Sequence, residues 1–102
     1  NGLALSIRNQ LLSDQGLVAA TGLKRHLDTL KAGYLQTRDV NQSVNYALEQ
    51  NKDSNLTVDY LHILDKNTFS KVTEETTNAI ISIAGYVEGI RLIDNIDFRV
   101  EI

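Results

Sequence analysis

The stretch AIISIAGYVEGIRLIDNIDF, residues 79–98, decides the fold. Ala79 to Val87 is an apolar, β-branched run that reads as a central strand. Glu88-Gly89 supplies a tight two-residue turn, and Ile90 to Phe98 returns as the hairpin partner. Upstream, Leu56, Val58, Tyr60, His62 and Leu64 alternate with Thr57, Asp59, Leu61 and Ile63, which predicts a third strand, apolar in part on both faces. Between it and the hairpin, Asp65-Lys66-Asn67-Thr68 reads as a turn, and Phe69 with Val72 as a short helical turn packed on the sheet.

The N-terminal half carries a different period. Ser13 is a helix cap whose hydroxyl can accept a first-turn amide, with Asp14 at the positive end of the dipole. Leu17, Ala20, Leu23, Leu27, Leu30 and Tyr34 then form one stripe along a helix that Gly33 would close in a left-handed cap. Asp39 caps a second helix with Val40, Val44, Ala47 and Leu48 on one face. Two helices laid on one face of a three-stranded antiparallel sheet bury both stripes, so the expected class is a two-layer α+β domain, its strand order left open.

Leu, Ile, Val and Phe make up 32 of 102 residues, enough for one core and one domain. Repeats, low-complexity tracts and proline are absent, so no internal linker is expected. Ten basic against 13 acidic residues give a net charge of −3, and the basic residues are scattered singly, which argues against nucleic acid or an anionic membrane as partner. With no cysteine there is no disulfide, thiol nucleophile or thiolate zinc site, and two distant histidines make no metal centre alone. No apolar run approaches the ~20 residues that span a bilayer, and a cytoplasmic domain is expected. The chain has no methionine, so it is expected to begin inside a longer protein.

Few residues offer chemistry. His26, beside Lys24 and Arg25, reads as a solvated helix position. His62 reads as a sheet-packing histidine on a face shared with Val58, Tyr60 and Leu64. Glu74-Glu75 reads as a solvated loop, and Asp94-Asn95 as a pair that hydrogen-bonds turn or helix-terminal backbone. Tyr34, Tyr46, Tyr60 and Tyr86 are spread over four elements and suit core edges. The first dozen residues, Asn1 to Leu12, suit a shaped loop. Within it, Gly2-Leu3-Ala4-Leu5-Ser6-Ile7-Arg8-Asn9 gathers a hydroxyl, a guanidinium and backbone amides, which are parts that bind phosphate.

That block resembles the Gly-Leu-Ala-(Leu/Met)-Ser-Ser-Arg-Asn block of the pantothenate synthetases, or pantoate–β-alanine ligases. Val58-Asp59-Tyr60 with Leu64-Asp65 resembles the family's strand-and-turn segment, and Arg91-Leu92-Ile93-Asp94-Asn95 its closing signature. The three blocks stand in the family's order and cover nearly the whole chain, which then corresponds to the family's C-terminal domain.

The resemblance implies a two-domain nucleotidylyltransferase that makes pantoyl-adenylate from ATP and pantoate and then lets β-alanine displace AMP. The N-terminal Rossmann-like domain would carry the pantoate pocket, most adenine contacts and the homodimer contact, and residues 1–102 would be the lid, monomeric and inactive when alone. Leu5, Ser6, Ile7 and Arg8 would meet the ATP phosphates, with Arg8 as the catalytic cation. Mg²⁺ is implied by ATP, with no ligand nameable in this chain. Ile7 stands where the family usually has a second serine, so its amide remains and the hydroxyl does not. Arg91 to Asn95 would be structural. The alternative expectation is an independent α+β interaction module without a catalytic role.

Overall fold

Ser13 opens the first helix as its sequence requires: its backbone is extended, and its Oγ accepts the Gly16 amide at 3.1 Å. The computed structural model describes residues 13–100. Helices α1 (Asp14–Ala20), α2 (Gly22–Thr37) and α3 (Val40–Gln50) are followed by strands β1 (Thr57–Asp65), β2 (Asn78–Val87) and β3 (Ile90–Arg99). Asp39 caps α3 by accepting the Gln42 amide at 2.9 Å.

The expected first helix is interrupted at Thr21. Its Oγ1 donates to the Val18 carbonyl at 2.6 Å, the kind of side-chain back-bonding that bends helices. Gly33 does not close the helix. A Cβ there would meet Ser43 Oγ at 3.3 Å, so this glycine lets α2 and α3 approach, and the chain turns five residues later at Arg38, which holds the left-handed cap at φ 59.

The three strands form an antiparallel meander in the order β1-β2-β3, and the helices cover one face. This is the two-layer α+β architecture expected, with the strand order now fixed. Ala79, Ile81, Ile83, Gly85 and Val87 alternate toward the helices, and the Ile and Val side chains among them are fully buried with Leu23, Leu27 and Leu30 of α2. Each such aliphatic side chain contributes about 1.5–3 kcal/mol through burial.

The doubly apolar reading of β1 has a structural cause. A bulge between Val58 and Tyr60 shifts the phase: Val58 pairs with Gly85 and packs on the core, whereas Tyr60, His62 and Leu64 pair with Ala84, Ser82 and Ile80 on the uncovered face. His62 therefore shares its face with Tyr60 and Leu64 but not with Val58. The expected helical turn at Phe69 and Val72 is absent. Asp65 accepts the Asn67 and Thr68 amides on Oδ1 while its backbone exchanges hydrogen bonds with Phe69 and Ser70, so the chain doubles back. Phe69 is left at φ 56 and 67% exposed, and only Val72 packs against the core.

Candidate functional site

Leu5, Ser6, Ile7 and Arg8 lie outside the described residues. What is described is the point where that segment joins the domain. Ser13 follows Arg8 by five residues. Its amide donates to Glu88 Oε1 at 2.9 Å, and its hydroxyl donates to Glu88 Oε2. These bonds to the ionised form hold the Glu88 carboxyl below the usual glutamate range, the Ser13 hydroxyl contributing most and its amide next. Glu88 sits in the β2–β3 turn, where it and Gly89 have φ of 53 and 78. Positive φ at both positions is what a two-residue hairpin of the type I′ kind demands. A Cβ on Gly16 would stand 2.6 Å from Glu88 Oε1, so the glycine in the first turn of α1 leaves room for the carboxylate.

The second and third sequence blocks meet in space. Asp59, the bulged residue of β1, pairs with Arg91 of β3 at 3.2 Å across the uncovered sheet face. The Arg91 guanidinium also lies 5.9 Å from the Tyr60 ring centre. The bond to Asp59 is the main cause that holds its charge more firmly than usual; burial opposes it, and charge interactions with Tyr86, Asp59 and Tyr60 add smaller support. Tyr60 in turn stacks on His62, with ring centres 4.9 Å apart and planes 8° from parallel. Of the four tyrosines, Tyr60 and Tyr86 thus come together around Arg91, Tyr34 is buried in the core, and Tyr46 lies exposed on α3.

The remaining candidates separate. His26 is 2% exposed, not solvated as expected: it stands three residues after Leu23 and four before Leu30, inside the buried stripe, and its Nδ1 lies 2.7 Å from the Gly22 carbonyl oxygen. Asp94 and Asn95 lie in mid-strand and cap no turn or helix. Asp94 pairs with Ile83 on the helix-facing side and its Oδ1 accepts the Asn95 amide at 2.8 Å. Glu74 and Glu75 are exposed in the loop before β2. Asp65 is a structural hub: the Thr76 hydroxyl, chiefly, and the Asn67 amide draw its carboxyl below the ordinary aspartate value. Among the described residues no group of three or more His, Cys, Asp or Glu side chains could hold a metal, and no helix is long and apolar enough to cross a membrane.

Glu88 had a signal that a reading of turns alone passes over. Asn, Asp or Gly suits the first position of such a turn, and a longer carboxylate there calls for a partner. The Asp59–Arg91 contact had none, because it depends on the bulge.

Comparison with known proteins joins these observations. A profile of the family described as pantoate-beta-alanine ligase matches residues 1–97, a span that includes all three blocks. The pantothenate synthetase of Vesicomyosocius okutanii is 38% identical over 98 residues, covering 96% of this chain and 34% of that protein. That of Campylobacter curvus is 41% identical over 102 residues, covering 94% of this chain and 35% of that protein. A crystal structure of pantothenate synthetase from Thermus thermophilus superposes with a TM-score of 0.78 at 31% identity, over 93% of this chain and 35% of that one. The chain spans about one third of the length of the relatives it matches. With sequence and fold in agreement along nearly its whole length, the chain belongs to the pantoate-beta-alanine ligase family.

Proposed function

We propose that residues 1–102 act as the C-terminal, lid domain of an enzyme that condenses pantoate with β-alanine. The observation that carries this reading is the family match over residues 1–97, which takes in the phosphate-binding pattern at Ser6 and Arg8 as well as the fold. In the first half-reaction a pantoate carboxylate oxygen attacks the α-phosphorus of ATP, the bond to the α–β bridging oxygen breaks, and pyrophosphate leaves. In the second, the amine of β-alanine attacks the acyl carbon and loses a proton, and AMP leaves with the phosphate oxygen.

The contribution of this chain falls on the first step. Negative charge builds on the bridging oxygen as pyrophosphate departs, and a guanidinium held there lowers the barrier because it binds the transition state more strongly than the ground state. Arg8 takes that role, with Ser6 and the amides of Leu5 and Ile7 donating to phosphate oxygens. Ile7 donates through its amide only. The body of the domain keeps water from the acyl-adenylate. The pantoate pocket, most adenine contacts and the homodimer contact belong to an N-terminal domain in this reading. Mg²⁺ travels with ATP as part of the substrate, and no carboxylate cluster among the described residues fits it, so no step runs from these residues through the ion.

AMP release by the full-length protein tests the reading. Steady release that requires ATP, pantoate and β-alanine together supports it. A protein that releases no AMP in response to pantoate is not this ligase, and the domain is then an interaction module on the same fold.

A further inference from the structure

The imidazole of His26 lies in the core but is only half satisfied there. It is 2% exposed, and its Nδ1 stands 2.7 Å from the Gly22 carbonyl oxygen. A carbonyl oxygen has no proton to give, so Nδ1 carries the hydrogen, and in the uncharged ring Nε2 keeps a free lone pair. Among the described residues nothing hydrogen-bonds to Nε2, whereas every fully buried side-chain nitrogen and oxygen has a partner. Nε2 is therefore not sealed in. The space it meets is a cleft of about 490 Å³ between α2, the end of α3 and the start of β1, which His26 lines together with Leu48, Leu56 and Val58.

The lining selects a class of ligand. Its walls are largely aliphatic, and its two formal charges are engaged elsewhere: Lys52 pairs with Glu49 at 3.3 Å, and Asp53 Oδ1 accepts the Asn55 amide at 2.8 Å. The side-chain nitrogen of Asn51 is taken as well, by Thr29 Oγ1 and the Ala47 carbonyl. What is left is one buried acceptor in an apolar cleft of the size that small-molecule sites have, and such an acceptor calls for a donor. We propose that the cleft beside His26 binds a small uncharged ligand with an apolar, ring-sized body and one O–H or N–H that donates to Nε2. The inference does not draw on the proposed role of Ser6 and Arg8.

The test titrates the full-length protein with phenol and with anisole, which carries the same ring and no donor, and follows the nitrogen resonances of His26 at mildly alkaline pH. Phenol is expected to bind saturably and to move the Nε2 resonance more than that of Nδ1. Anisole is expected to bind about 10-fold more weakly, the worth of one hydrogen bond. His26→Leu keeps an apolar side chain and removes the acceptor, so the folded variant is expected to bind phenol and anisole alike. Should that variant fail to fold, the wild-type comparison decides. Equal affinity of the wild-type protein for the two probes, no saturable shift with phenol, or a proton on Nε2 in place of Nδ1 overturns the inference. A folded His26→Leu protein that still prefers phenol overturns it too.

Discussion

The Glu88 carboxylate accepts both the amide and the hydroxyl of Ser13, so the tip of a C-terminal hairpin holds the residue that caps the first helix. Because the folded state lowers the Glu88 carboxyl below its ordinary value of 4.5, the contact contributes stability above that pH and loses it as pH falls through the lower, folded value. The Gly16 amide at the start of α1 should then exchange faster as pH is lowered from 5 toward 3, after correction for intrinsic exchange. Glu88→Gln should remove that pH dependence while Asp65, lowered by its own partners, still titrates.

Leu27 is fully buried at the centre of the α2 stripe, against the sheet. Leu27→Ala should destabilise the domain by about 2–5 kcal/mol, read as a fall in the urea midpoint with little change in slope.

The Asp59–Arg91 pair is a fold marker with partly exposed partners, 44% and 43% accessible. A double-mutant cycle between Asp59→Asn and Arg91→Lys should return a coupling of about 0.2–1 kcal/mol, weaker in high salt. A much larger coupling would mean that the face is covered in the intact enzyme.

Phe69 holds φ 56 while two thirds of its surface lies open to solvent. Phe69→Asn should therefore raise the stability of the chain by about 0.5–1 kcal/mol, seen as a higher melting temperature, since it relieves the backbone and gives up little burial.

Features set by short-range chemistry were legible in the sequence. Ser13 and Asp39 cap helices because a side-chain oxygen two or three residues ahead of an unpaired amide needs nothing else, and the hairpin followed from an apolar run around a two-residue turn. Features that depend on contact between distant elements were not. Gly33 reads as a helix end until α3 is seen lying against it, and the phase shift at Asp59 is invisible until β2 supplies the partner register. His26 looks solvated beside Lys24 and Arg25, yet its spacing to Leu23 and Leu30 puts it in the core. The candidate site was legible only as a pattern of residue types, Ser6 and Arg8, lying outside the described residues. The contact of Glu88 with Ser13 needed the fold, because no local rule links positions 13 and 88.

Whether Arg8 stabilises departing pyrophosphate is decided by pantoate-dependent exchange of labelled pyrophosphate into ATP, measured in the full-length protein and its Arg8→Ala variant. Exchange is expected in the wild-type protein, with a loss of about 10²-fold or more in kcat for the variant and pantoate affinity little changed. Equal exchange by the two proteins would contradict it.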